Sequence, residues 1–148
     1  MKKILLFVTC IAAFSFNSCS SDEGGGGSAQ RVKATIDGNE YTFTDIEVTE
    51  QVFEDYTDVM IIANHPDDPD SFLRIMVTEG VTGEEAIWEF VFYPPDNGDA
   101  YPMTDTFVTN VTENGDMIKG TFSGNIEHWD PEITDLMIVT DGEFTINR

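Results

Sequence analysis

Apolar and polar residues alternate with a period of two along much of the chain after residue 30. Val32, Ala34 and Ile36 alternate with Lys33, Thr35 and Asp37, a turn follows at Asp37-Gly38-Asn39, and Tyr41 and Phe43 then alternate with Thr42 and Thr44. Successive strand side chains point to opposite faces, so two such runs around a glycine-bearing turn predict a β-hairpin. Ile46, Val48 and Val52 continue a third strand toward Phe53, residues 59–63 form a continuous apolar run of strand length, and Leu73, Ile75 and Val77 alternate with Arg74, Met76 and Thr78. The last pattern predicts a strand with one face on a core. In Ile87–Tyr93, Trp88, Phe90 and Phe92 share one face, predicted to point inward, and the run stops at Pro94-Pro95.

Further strands are predicted at 107–112 and 117–126, joined through Asn114-Gly115, and at 136–140 and 143–146. Asp141-Gly142 between the last two reads either as a turn or as a bulge within one long strand. Helix signals are few. Thr82-Gly83-Glu84-Glu85 has capping-box spacing but leads into a strand-like aromatic run, and Asp130-Pro131 fits a cap and first residue of about one helical turn. The expected fold is all-β: a single antiparallel sandwich, with a partly open barrel as the alternative.

The beginning of the chain breaks the alternation. Lys2 and Lys3 precede an almost unbroken apolar run over residues 4–14, and Phe16-Asn17-Ser18-Cys19 ends it with a small residue before a cysteine. The run is shorter than the roughly 20 residues a spanning helix needs and matches the about 7–15 of a signal-peptide core. Its layout resembles a bacterial lipoprotein signal, with Cys19 as the acylated residue; Cys10 lies inside the apolar run and is the poorer acceptor. The relaxed box, with Phe16 and Asn17 before the small residue, resembles those of Bacteroidota lipoproteins. Asp22 and Glu23, just after Cys19, resemble an acidic signal for export to the outer face of the outer membrane. The expected location is therefore the outer membrane, lipid-anchored and facing outward, with a periplasm-facing anchor as the alternative.

These features divide the chain into a signal peptide over residues 1–18, an acylated cysteine with an acidic and glycine-rich tether over 19–30, and a β domain over 31–148. Gly24-Gly25-Gly26-Gly27-Ser28 makes the tether flexible. The 11 residues from Ser20 to Gln30 reach roughly 17–20 Å as a random coil, enough for the domain to tumble near the membrane without packing on it.

The whole chain carries seven basic and 28 acidic residues, a formal charge of −21. Losing Lys2 and Lys3 leaves five basic residues, so the mature charge is −23 (5 − 28). Nucleic acid is excluded as a partner, since that binding relies on cations neutralising phosphates. The lipid is expected to be the sole membrane contact. With Cys10 removed and Cys19 acylated, the domain has no thiol or disulfide, which removes cysteine nucleophiles and cysteine metal sites.

Lys119-Gly120-Thr121-Phe122-Ser123-Gly124, followed by Thr140-Asp141-Gly142-Glu143-Phe144, resembles the C-terminal pattern of small uncharacterised Bacteroidota lipoproteins. Val32-Lys33-Ala34-Thr35-Ile36-Asp37-Gly38 and Tyr41-Thr42-Phe43 resemble their N-terminal strands. The resemblance implies no activity. Physically, it makes Phe122 and Phe144 neighbouring core residues, with Gly120 and Gly124 allowing a bulge or a close aromatic neighbour.

Candidate chemistry is sparse. Ser123 lies in a strand pattern without the strand-turn-helix setting of a nucleophile elbow, and His65 and His128 are expected as solvated loop residues. No catalytic residue and no cofactor is expected, so the chain reads as a non-enzyme; a carbohydrate-active enzyme is the least favoured alternative. Asp67, Asp68 and Asp70 could offer oxygens to calcium, as could Asp96 and Asp99, but neither group has calcium-loop spacing. No metal site is therefore assigned. Trp129, Tyr93 and Tyr101 sit near predicted loops beside carboxylates and are the candidate ligand-binding residues, since aromatic rings flanked by carboxylates can stack on and hydrogen-bond sugars. The expected function is a binding or interaction module for a glycan or protein partner, with a purely structural or accessory envelope lipoprotein as the alternative.

Overall fold

The computed structural model describes residues 29–95 and 98–148. The signal peptide, Cys19, Asp22, Glu23 and the tether to Ser28 lie outside the described residues, as do Asp96 and Asn97. Ten strands form: β1 (Arg31–Ile36), β2 (Asn39–Phe43), β3 (Asp45–Val52), β4 (Thr57–His65), β5 (Asp68–Thr78), β6 (Ile87–Tyr93), β7 (Tyr101–Pro102), β8 (Val108–Asn114), β9 (Met117–Glu127) and β10 (Leu136–Asn147). No helix forms among the described residues, and the turn at Asp130-Pro131 stays a turn.

The strands make two antiparallel five-stranded sheets, in orders β2-β1-β10-β9-β8 and β3-β4-β5-β6-β7. Each consecutive pair either shares a ladder or turns a corner between sheets. Thr44 alone separates β2 from β3 at one corner, and a Met103–Ile126 bridge ties the other. Because β2 and β3 are not hydrogen-bonded to each other, the ring stays open and the fold is a sandwich rather than a barrel.

Alternation places the core as read from the sequence. Val59, Ile61 and Ala63 of β4 pair directly with Val77, Ile75 and Leu73 of β5, and all six are fully buried. The β1–β2 turn has the backbone its residues favour, with Asp37 and Gly38 both at positive φ, and Gly115 follows Asn114, the last residue of β8, in the turn to β9 without adopting positive φ. Asp141-Gly142 is a bulge, with Asp141 at φ 52° and the β9–β10 register shifting between Val139 and Gly142.

Trp88 departs from expectation. Met76 pairs with Glu89 and Val77 with Ile87, so Trp88 is an extra residue in the β5–β6 ladder. The bulge puts Ile87 into the core and leaves Trp88 46% exposed.

Candidate functional site at the Trp129 loop

β9 ends at Glu127 and β10 starts at Leu136, so residues 128–135 form the loop between two of the longest strands. Local bonds shape it. Asp130 Oδ1 accepts from the Glu132 amide at 3.0 Å, and the Asp130 carbonyl accepts from the Ile133 amide at 3.0 Å, with Pro131 stiffening the turn between them. The His128 amide donates to the Asp135 carbonyl at 2.9 Å and closes the base of the loop.

The loop is stapled to the segment entering β7. The Trp129 amide donates to the Ala100 carbonyl at 2.9 Å. The Tyr101 hydroxyl donates to Asp135 Oδ2 at 2.7 Å, while its ring meets the His128 ring edge-on at 5.4 Å. His128 is not a solvated residue as its acidic surroundings suggest: it is buried, and its Nδ1 accepts from the Asp130 amide at 3.0 Å. That acceptance leaves the hydrogen of a neutral ring on Nε2. Nε2 is buried without a hydrogen-bond partner among the described residues, with Asp99 Oδ2 3.5 Å away. The role of this imidazole is to support the loop from beneath.

With the polar groups turned inward, the apolar ones turn out. Trp129 is 61% exposed, and Ile133, Leu136 and Ile138 are each about half exposed. Pro102, Trp129, Pro131, Ile133 and Leu136, with carboxylates of Glu127 and Asp135, line a shallow open cavity of about 380 Å³. That size falls within the roughly 300–1,000 Å³ of small-molecule sites. Among the described residues no Lys or Arg pairs with these carboxylates: Arg31, Arg74, Lys119 and Arg148 pair with Glu143, Glu89, Glu113 and Glu50 with Glu79, all elsewhere.

Of the three aromatic candidates, Trp129 is the most exposed, and Tyr101 corrects the expectation of an accessible ring. Tyr101 is only 3% exposed, because β7 turns its ring into the core and Asp135 holds its hydroxyl. Tyr93 is half-buried and stacked on Phe72 at 4.1 Å. Asp67 lies in the β4–β5 turn and Asp68 and Asp70 open β5, where Asp68 Oδ1 accepts from the Asp70 amide at 3.2 Å. Among the described residues no group of three or more His, Cys, Asp or Glu side chains is gathered to hold a metal. His65, at the same turn, is half-buried rather than solvated, with its ring edge-on to Tyr41 and Phe43.

Sequence reading missed Leu136 and Ile138 as surface residues. In the run Leu136-Met137-Ile138-Val139 both faces are apolar, so alternation alone cannot choose. Asp37 Oδ1 accepts from the Ile138 amide at 2.8 Å and the Asp37 amide donates to the Ile138 carbonyl at 2.9 Å, while the side chain of Val139 goes inward and that of Ile138 outward.

No protein-family model, no curated protein sequence and no solved structure matches this chain.

Proposed function

We propose that the chain is an acylated outer-membrane lipoprotein, held by Cys19 and facing outward, that displays a non-enzymatic binding module whose ligand platform is the Trp129 loop. The observation that carries this reading is the exposure of Trp129 together with Ile133 and Leu136 on a loop whose polar groups are internally bonded. Tryptophan is usually well buried, and a cluster of exposed apolar side chains rimmed by polar groups marks an interaction site.

The ligand class that fits is a neutral glycan. The apolar face of a sugar ring stacks on the indole, and its hydroxyls donate to Glu127 and Asp135 at the rim. Acidic glycans are repelled by a mature charge of −23 (5 − 28). The lipobox layout, the acidic pair Asp22 and Glu23 and the resemblance to small Bacteroidota lipoproteins support the location.

A glycan array probed with residues 19–148 tests the reading. Retention of neutral oligosaccharides is expected, lost in Trp129→Ala with an unchanged melting profile. An array without hits moves the reading to an accessory envelope protein. Labelling with a fatty-acid probe tests the anchor: Cys19→Ala should abolish both label and membrane retention.

A further inference from the structure

A second concentration of exposed apolar side chains lies at the other end of the sandwich. Val52 closes β3, Phe53 and Tyr56 form the turn into β4, and Val81 sits in the β5–β6 connection, all exposed. The Phe53 and Tyr56 rings stack at 4.6 Å and 20°, and the Phe53 amide donates to the Tyr56 carbonyl at 2.8 Å. One braced turn therefore presents both rings outward. The exposed indole of Trp88 lies at the same end, because Asp58 pairs with Thr78 and Val77 with Ile87.

The chain enters the domain at this end. Arg31 opens β1 opposite Thr145, three residues before Arg148, and Arg148 reaches across to Glu50 and Glu79 beside the apolar turn. Along β9, Met117 sits opposite Asn147 at this end and Glu127 opposite Leu136 at the Trp129 end. At about 3.3 Å per residue the two ends are separated by roughly 33 Å.

We infer that the Val52–Phe53–Tyr56–Val81 end rests on the lipid interface that holds Cys19, so that the domain stands with Trp129 pointing away from the membrane. This inference relies on the acylation reading. A coil of the 11 tether residues has a root-mean-square reach of roughly 17–20 Å, which gives the near end an effective concentration at the bilayer in the mM range, so that a weak contact suffices. Aromatic rings with one apolar and one wet side favour the headgroup region. Arg148 pairs with both Glu50 and Glu79 and offsets one of their two charges, and Glu54 and Asp55 of the turn add further carboxylates that meet the surface. These pair with the ammonium groups of zwitterionic headgroups and are repelled by anionic ones. The free tumbling expected from the glycine tether is thereby restricted.

The test uses the full acylated chain in phosphatidylethanolamine–phosphatidylcholine vesicles with brominated acyl chains, which quench nearby indoles. One protein carries Phe53→Trp with Trp88→Phe and Trp129→Phe; a second carries Trp88→Phe alone, keeping Trp129. Circular dichroism confirms that each retains the parent fold. Quenching and a blue shift are expected for the first protein and neither for the second, with less quenching when phosphatidylglycerol replaces part of the zwitterionic lipid. A chain that sediments with vesicles but shows no quenching at position 53, or equal quenching at both positions, overturns the docking while leaving the anchor intact. A chain without label that stays out of the vesicle pellet removes the anchor and the docking together.

Discussion

Phe144 covers Gly120 so closely that a Cβ on this glycine would stand 2.6 Å from the ring's Cζ and 2.6 Å from the Asn110 carbonyl oxygen. The relation is reciprocal across the β9–β10 ladder: Gly120 pairs with Phe144 and Gly142 with Phe122, and a Cβ on Gly142 would strike the Phe122 ring. Two glycines thus let two phenylalanines lie over the neighbouring strand, and the rings sit 6.3 Å apart in the core.

Gly120→Ala should therefore destabilise the domain by about 1–3 kcal/mol, the usual cost of overpacking a well-filled site. Gly115→Ala, where nothing stands within 4 Å, is the control and should stay within about 0.5 kcal/mol. Urea midpoints of the two variants make the comparison. Equal midpoints would show that the rings can move aside.

This pair of contacts was partly legible. Phe122 and Phe144 read as core neighbours and Gly120 as room for an aromatic ring, because glycine within a strand pattern signals a close approach. The pairing of β1 with β10 carries no local signal, and neither does the burial of His128, which follows from the 128–135 loop folding back onto Ala100 and Tyr101. The outward turn of Trp88 has a related cause. A period of two holds only while the register holds, and the shift between Met76 and Val77 turns the indole outward.

Trp88 and Trp129 should both tolerate truncation. Trp88→Ala is expected to cost less than about 1.5 kcal/mol, against about 3–5 kcal/mol for Phe90→Ala, whose ring is fully buried. Trp129→Ala should leave the melt nearly unchanged, since the loop is held by its backbone and by Tyr101 and Asp135. Thermal unfolding of the three variants separates these cases. A large loss in Trp129→Ala would make that indole a packing element and remove the main support for a ligand platform.

Tyr41 predicts an alkaline limb of instability. Burial, then the negative charges of Asp37 and Asp68, push its hydroxyl above the ordinary tyrosine value. A raised folded value means that the unfolded chain ionises first. The associated stability is fully present below the ordinary tyrosine value and is lost as pH rises through the folded one. Unfolding followed by urea above pH 10 should show a falling midpoint that is shallower in Tyr41→Phe. Parallel curves for the two proteins would assign the fall to other groups.

Arg148 predicts the corresponding behaviour in acid. Its hydrogen bond to Glu79, and then its positive charge, hold that carboxyl below the ordinary glutamate value, while bonds to Glu50 and Glu79 raise the guanidinium. For a lowered carboxyl the linkage runs opposite to that of Tyr41. Its contribution is present above the ordinary glutamate value and is lost as pH falls through the lower folded value, where the carboxylate finally takes a proton. Because Glu79 is exposed, solvent and salt screen the pair, so the effect should be modest and should shrink further at high ionic strength. The stability difference between the parent and Glu79→Gln should hold steady from neutral pH down to the ordinary glutamate range, then close as pH falls further. Urea midpoints measured across that interval at low and high salt test both statements. A difference that persists unchanged in strong acid would mean that Glu79 acts through packing of its stem against the apolar turn rather than through its charge on Arg148.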